Sequence, residues 1–149
     1  MSETLRPTTA DQLRDAIAWA AAEENPLEVI GAGTKRGLGR PIDCDHTLDL
    51  SALSGIVDYE PEELVISALA GTPLAEIEAA LAEHNQMLAF EPPDLGPLWG
   101  AEAGRATLGG TVACNLSGPR RFQAGAARDH VLGVKGVSGR GEAFKSGGR

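Results

Sequence analysis

The segment Thr107-Leu108-Gly109-Gly110-Thr111-Val112-Ala113-Cys114-Asn115-Leu116-Ser117-Gly118 constrains this chain more than any other, because it sets small residues, hydroxyls and an amide where a core element would be apolar. Residues of this size leave the main chain accessible, so the segment suits a ligand lying against its backbone. A second glycine-rich stretch, Gly31-Ala32-Gly33-Thr34-Lys35-Arg36-Gly37, precedes it. One ligand held between two loops is the economical reading.

The 19 Gly and 9 Pro fall in local clusters, which implies several special backbone conformations rather than one flexible linker. With 149 residues and 42% hydrophobic content, the chain has the size and apolar mass of one domain with a core. A net charge of −8 argues against a nucleic-acid partner, since such binding draws on Lys and Arg to neutralise phosphates. The cations nevertheless gather beside the glycine loops, with Lys35, Arg36 and Arg40 at the first and Arg105, Arg120, Arg121 and Arg128 around the second. That distribution suits a small anion; the alternative is ordinary solvated loops. Cys44 and Cys114 lack the spacing of a disulfide framework or zinc site, so two buried or half-buried free thiols and no metal are expected. No apolar run reaches the roughly twenty residues of a membrane span, and Met1-Ser2-Glu3-Thr4 is not the basic start of a secretory signal. The expected compartment is the cytoplasm.

Thr9 with Gln12 forms a capping-box pattern, followed by Leu13, Ile17, Ala20 and Ala21 at helical spacing until Asn25-Pro26. Leu27–Ile30 reads as a strand running into the first loop. Thr47–Leu50 and Gly55–Tyr59 read as extended, Leu64–Leu69 as the clearest strand, and Glu60–Glu63 as the turn before it. Thr72 as N-cap and Pro73 at the first helical position open a second helix carrying Leu74, Ile77 and Leu81 on one face. Glu91–Pro97 reads as an ordered crossing loop. His130–Val137 and Glu142–Lys145 read as strands joined by the turn Ser138–Gly141.

The first loop has GxGxxxG spacing after a strand, yet it is not a Rossmann fingerprint: its third Gly is one position late, and Leu38-Gly39-Arg40-Pro41 follows where a helix should open. No Gly-Lys-Ser/Thr closes it as a P-loop. What remains is a backbone nest with a hydroxyl at Thr34 and two cations, suited to phosphate, the alternative being a tight surface turn. In the second segment, Gly109 and Gly110 allow close approach, Thr107 offers a hydroxyl, Ala113 keeps the next turn flat, and Asn115 and Ser117 can donate to ligand oxygens. The alternative is a turn packed on a neighbouring strand, with Asn115 bonded only to local backbone.

The two loops, in this order, together with Pro92-Pro93-Asp94, Pro119-Arg120-Arg121 and Arg128-Asp129-His130-Val131-Leu132-Gly133-Val134, resemble the FAD-binding domain of the vanillyl-alcohol oxidase and p-cresol methylhydroxylase (PCMH) type. Within that family they are most similar to the FAD-binding subunits of bacterial glycolate oxidases, and the resemblance covers nearly the whole chain. It implies an α+β fold of two small subdomains, about residues 1–92 with a mixed sheet and flanking helices, and about 93–149 with a mainly antiparallel sheet. Relatives continue past Gly147-Gly148-Arg149 into further flavin-contacting strands and a cap domain, so a truncated domain is expected.

The resemblance further implies that Gly31, Gly33, Thr34, Lys35 and Arg36 wrap the FAD pyrophosphate. Thr107, Leu108, Gly109, Gly110, Ala113, Asn115 and Gly118 would lie across pyrophosphate and ribityl from the other side, with Gly136 and Val137 toward the adenine and Pro93 toward the flavin ring. The first loop has no His, so binding is expected to be non-covalent. The implied reaction is oxidation of a 2-hydroxy acid, glycolate to glyoxylate, alongside a second flavoprotein subunit and an iron–sulfur subunit, which would provide any peripheral attachment to the inner membrane. Catalytic residues are not assignable, since His46, His84 and His130 are isolated and read as structural. Two alternatives stay open: a subunit-association domain that retains no FAD, and a nucleotide-binding regulator.

Overall fold

The computed structural model describes residues 3–148. Helix α1, Ala10–Ala22, starts where Thr9 Oγ1 accepts from the Gln12 N–H at 3.2 Å. The return bond of the capping box goes one residue further back, Gln12 Oε1 accepting from the N–H and the hydroxyl of Thr8. The helix ends before Asn25-Pro26, with Glu24 in the left-handed region at φ 55°. Three strands, β1 (Glu3–Leu5), β2 (Leu27–Ile30) and β3 (His46–Asp49), form a parallel sheet in the order β1-β3-β2, so α1 is the crossover between the two outer strands. Central β3 buries Leu48 and Asp49. β1 carried no sequence signal, being only three residues long.

Strands β4 (Ile56–Glu60) and β5 (Val65–Ala68) pair antiparallel across a 3-10 turn at Pro61–Glu63, with an irregularity at Val57 and Leu64 left-handed at φ 57°. Helix α2, Leu74–Ala82, buries Leu74, Ile77 and Leu81 against Ala106, and Ile56, Tyr59, Ile66 and Leu108 pack around that cluster. The expected start of α2 is corrected: Pro73 stands at the cap position, and the Thr72 hydroxyl donates instead to Leu69 O at 2.7 Å and accepts from the Gly55 N–H at 2.9 Å. Thr72 is fully buried, so it ties α2 to the β4–β5 pair rather than capping a helix.

The Thr107–Gly118 segment also departs from an open loop. Residues Leu108–Ala113 form helix α3, capped by Thr107 Oγ1 accepting from the Gly110 N–H at 3.3 Å. A four-residue helix α4, Arg121–Ala124, follows. The strand expected from His130 begins at Gly133, because Asp129 accepts from the Ala126 N–H at 2.8 Å and closes Ala127–His130 into a 3-10 turn. Strands β6 (Gly133–Val137) and β7 (Ala143–Gly147) then make a hairpin whose Gly141 packs on Ala18 of α1. The expected mixture of parallel and antiparallel pairing is thus spread over separate small sheets. Of the thiols, Cys44 is half-buried as expected, whereas Cys114 at the end of α3 is exposed.

Candidate functional site

The fold brings the two glycine segments into contact. β2 aims the Gly31 loop at the start of α3, so closely that a Cβ on Gly31 would collide with Thr107 Oγ1. Lys35 reaches over the same end, with Nζ 3.5 Å from where a Gly110 Cβ would stand and donating to Thr34 Oγ1 at 3.4 Å. Burial pulls the Lys35 ammonium below its usual range, partly offset by the Cys114 thiol and the Asp94 carboxylate.

Backbone donors divide unevenly between the segments. In α3, Leu108 N–H donates to Thr72 O, Gly109 N–H to Ala70 O, Gly110 N–H to Thr107 Oγ1 and Thr111 N–H to Thr107 O. In the first loop, the N–H groups of Ala32, Gly33, Thr34 and Lys35 have no acceptor among the described residues, although Thr34 is only 6% exposed. Consecutive unengaged amides beside a partly desolvated ammonium have the chemistry of an anion-binding nest.

Other expected site residues take structural partners. Arg36 clasps buried Glu28 with two bonds, Nε to Oε1 at 2.8 Å and Nη2 to Oε2 at 2.6 Å, which fixes the far side of the loop. Gly109 is pressed on Ala70, and Gly118 on the Glu91 carbonyl two residues from Pro93. Asn115, left-handed at φ 47°, accepts from the Arg128 N–H at 3.0 Å, and Ser117 Oγ accepts from the Ala127 N–H at 2.9 Å. Asn115 thus bonds to backbone thirteen residues away rather than to its local backbone. Leu108 faces the core periphery, Ala113 is exposed, and Gly136 lies under the Phe144 ring beside Val137 on the hairpin. Sequence reasoning missed Glu28, Asp94 and Trp99. An acidic residue inside an apolar strand eight positions before an Arg was the available signal for Glu28; nothing local marked Trp99.

The histidines do not converge. His46 meets Trp19 edge-on, His84 meets Tyr59, and His130 lies on Phe90 with Nε2 2.8 Å from Ala124 O. No group of three potential metal ligands occurs among the described residues.

A model of the FAD binding domain matches residues 2–147. The chain belongs to the FAD binding domain family. Its cofactor is accordingly FAD. The chain is 45% identical over 136 residues to the glycolate oxidase subunit GlcE of Escherichia coli, a match covering 91% of this chain and 37% of that protein. It is 32% identical to a D-lactate dehydrogenase of Anaerostipes hadrus, covering 83% and 25%. This FAD binding domain therefore spans well under half the length of both relatives. A solved structure of Phl p 4, a grass pollen allergen with glucose dehydrogenase activity, superposes with a TM-score of 0.75 at 19% identity, over 96% of this chain and 28% of the other, which establishes the shared fold. The nest suits the cofactor's pyrophosphate, the one strongly anionic part of FAD, and Gly110 leaves the space beside Lys35 free of a side chain.

Proposed function

We propose that this chain is the FAD-binding part of an oxidoreductase subunit that oxidises glycolate to glyoxylate within a multisubunit, cytoplasmic glycolate oxidase containing a second flavoprotein subunit and an iron–sulfur subunit. The observation that carries the cofactor placement is the run of unengaged amides from Ala32 to Lys35 beside the partly desolvated Lys35 ammonium. In this reading those amides and Lys35 hold the pyrophosphate, and Glu28 keeps Arg36 and the loop in shape from behind. Gly31 and Thr107 bring α3 against the other side, Gly33, Thr34 and Gly110 line the space between, and Leu108, Gly109, Ala113, Asn115 and Gly118 keep α3 and its exit in place. Pro93 faces the flavin end and Gly136 and Val137 the adenine end. When bound, the isoalloxazine supplies the hydride acceptor for an alcohol that loses a hydride from carbon and a proton from oxygen. The choice of a 2-hydroxy acid is supported by the names of the relatives, a glycolate oxidase subunit and a D-lactate dehydrogenase. No helix among the described residues is long and apolar enough to cross a membrane.

Two measurements test the reading. Titrating the purified chain with FAD should quench flavin fluorescence to a one-to-one endpoint, with denaturation releasing all flavin. A folded chain that leaves flavin free would refute cofactor binding and favour the association-domain alternative. In the whole subunit, anaerobic glycolate should bleach the bound flavin; bleaching by D-lactate but not glycolate would overturn the substrate assignment.

A further inference from the structure

The loop that retains the cofactor is held at both ends, and one of the holders lies far outside the glycine motifs. At Gly31 the contact is Thr107. At Gly37 it is the indole of Trp99: a Cβ on Gly37 would sit 2.5 Å from both Cε2 and Nε1 and 2.8 Å from Cδ1, so the ring lies directly on the glycine backbone. Gly37 does not adopt a positive φ, which makes close approach of the ring the reason a side chain is excluded there. The free amides of Ala32 to Lys35 lie between these two contacts.

Trp99 is presented by a loop with its own bonding. Asp94 closes the base, Oδ1 accepting from the Gly96 N–H at 3.1 Å and Oδ2 from the Gly104 N–H at 2.7 Å. Inside it, residues Gly96–Trp99 form a 3-10 turn, and Ala101 N–H donates to Gly96 O at 3.0 Å. The same Asp94 carboxylate acts on the Lys35 ammonium. The Cδ1–Nε1–Cε2 side of the indole lies against Gly37 and the residue remains 45% exposed, an arrangement that adds little to the core.

We propose that Trp99 is a positioning residue for the cofactor: the Asp94–Gly104 loop acts as a strap that presses the indole on Gly37 and holds the Gly31–Gly37 loop in its anion-binding shape before the ligand arrives. This rests on the reading that the Gly31 loop holds the pyrophosphate. Preorganisation of this kind raises affinity by removing the cost of ordering the loop on binding.

The test compares FAD, ADP and riboflavin binding by the purified chain and its variants. Trp99→Ala should weaken FAD and ADP alike by about tenfold, the factor for one such ordering cost, leave riboflavin affinity unchanged and leave the thermal midpoint near the parent's. Trp99→Phe should restore binding, because a flat ring can still cover Gly37. Gly37→Ala should displace the indole and reproduce the Trp99→Ala loss, and the double variant should be no weaker than either single. Unchanged FAD and ADP affinity in Trp99→Ala, or additive losses in the double variant, would overturn the proposal. Should Trp99→Ala fail to fold, Gly37→Ala against Trp99→Phe decides by the same criterion. If the parent chain binds neither FAD nor ADP, the pyrophosphate assignment itself falls, and this proposal with it.

Discussion

Lys35 carries most of the electrostatics of the site. Its ammonium is partly desolvated over the start of α3, beside Thr34 Oγ1 and Gly110, and Asp94 and Cys114 oppose the resulting fall in its pKa. For a lysine held below its ordinary value, the unfolded chain binds more protons between the folded and the unfolded pKa, so stability without ligand rises with pH across that window. Lys35→Met should therefore stabilise the ligand-free chain at neutral pH, read as a higher denaturation midpoint, while weakening FAD binding by about 1–3 kcal/mol for a lost charge-assisted contact. In the parent chain, FAD affinity should fall as pH rises through the folded Lys35 pKa; a flat profile in that range would remove Lys35 from the phosphate contact. Asp49 behaves oppositely. Burial pushes its carboxyl up, but bonds from the Ser51 N–H at 2.8 Å and from the Arg6 guanidinium at 2.9 and 2.6 Å outweigh it and leave the pKa lowered. Its contribution to stability is present above the ordinary carboxylate pKa and lost as pH falls through the folded one. Asp49→Asn should cost about 1.5–3 kcal/mol at neutral pH and less in acid, measured by urea unfolding at several pH values.

At the scale of elements, α3 shows how much a glycine motif conceals. The pair Gly109-Gly110 reads in sequence as one device for ligand approach, yet the two residues serve different partners. A Cβ on Gly109 would lie 2.8 Å from both Cβ and O of Ala70, whereas one on Gly110 meets only Thr107 Oγ1 at 3.2 Å and Lys35 Nζ at 3.5 Å. Gly109→Ala should thus lower stability by about 1–3 kcal/mol through overpacking, with FAD affinity per folded molecule retained. Gly110→Val should leave the fold largely intact and abolish FAD retention. A reversed pattern, in unfolding midpoint and flavin content, would reassign the pair. Helix α1 was legible because its cap, stripe and stop are all local; α3 was not, because its formation depends on carbonyls of Ala70 and Thr72 that accept its first N–H groups.

Across the molecule, packing is concentrated in the cluster of Leu74, Ile77, Leu81 and Ala106, while the β6–β7 hairpin is exposed along β7 and the first three residues of β6 and meets α1 through β6 and Gly141. A two-stranded hairpin is marginal by itself, so its amides should exchange with solvent well before those of α2; equal protection by hydrogen-exchange mass spectrometry would show a single cooperative unit. Added FAD should slow exchange at Ala32–Lys35. The sequence alone determined the order of most elements, the two loops, the exclusion of Rossmann and P-loop patterns and the FAD-binding family, because caps, strand runs and glycine spacing act within a few residues. Only the tertiary structure decided which amides stay free for a ligand, which glycine serves packing and that Trp99 rests on Gly37. Each of those depends on whether an acceptor or a ring is delivered from a distant part of the chain, and no local pattern records its arrival.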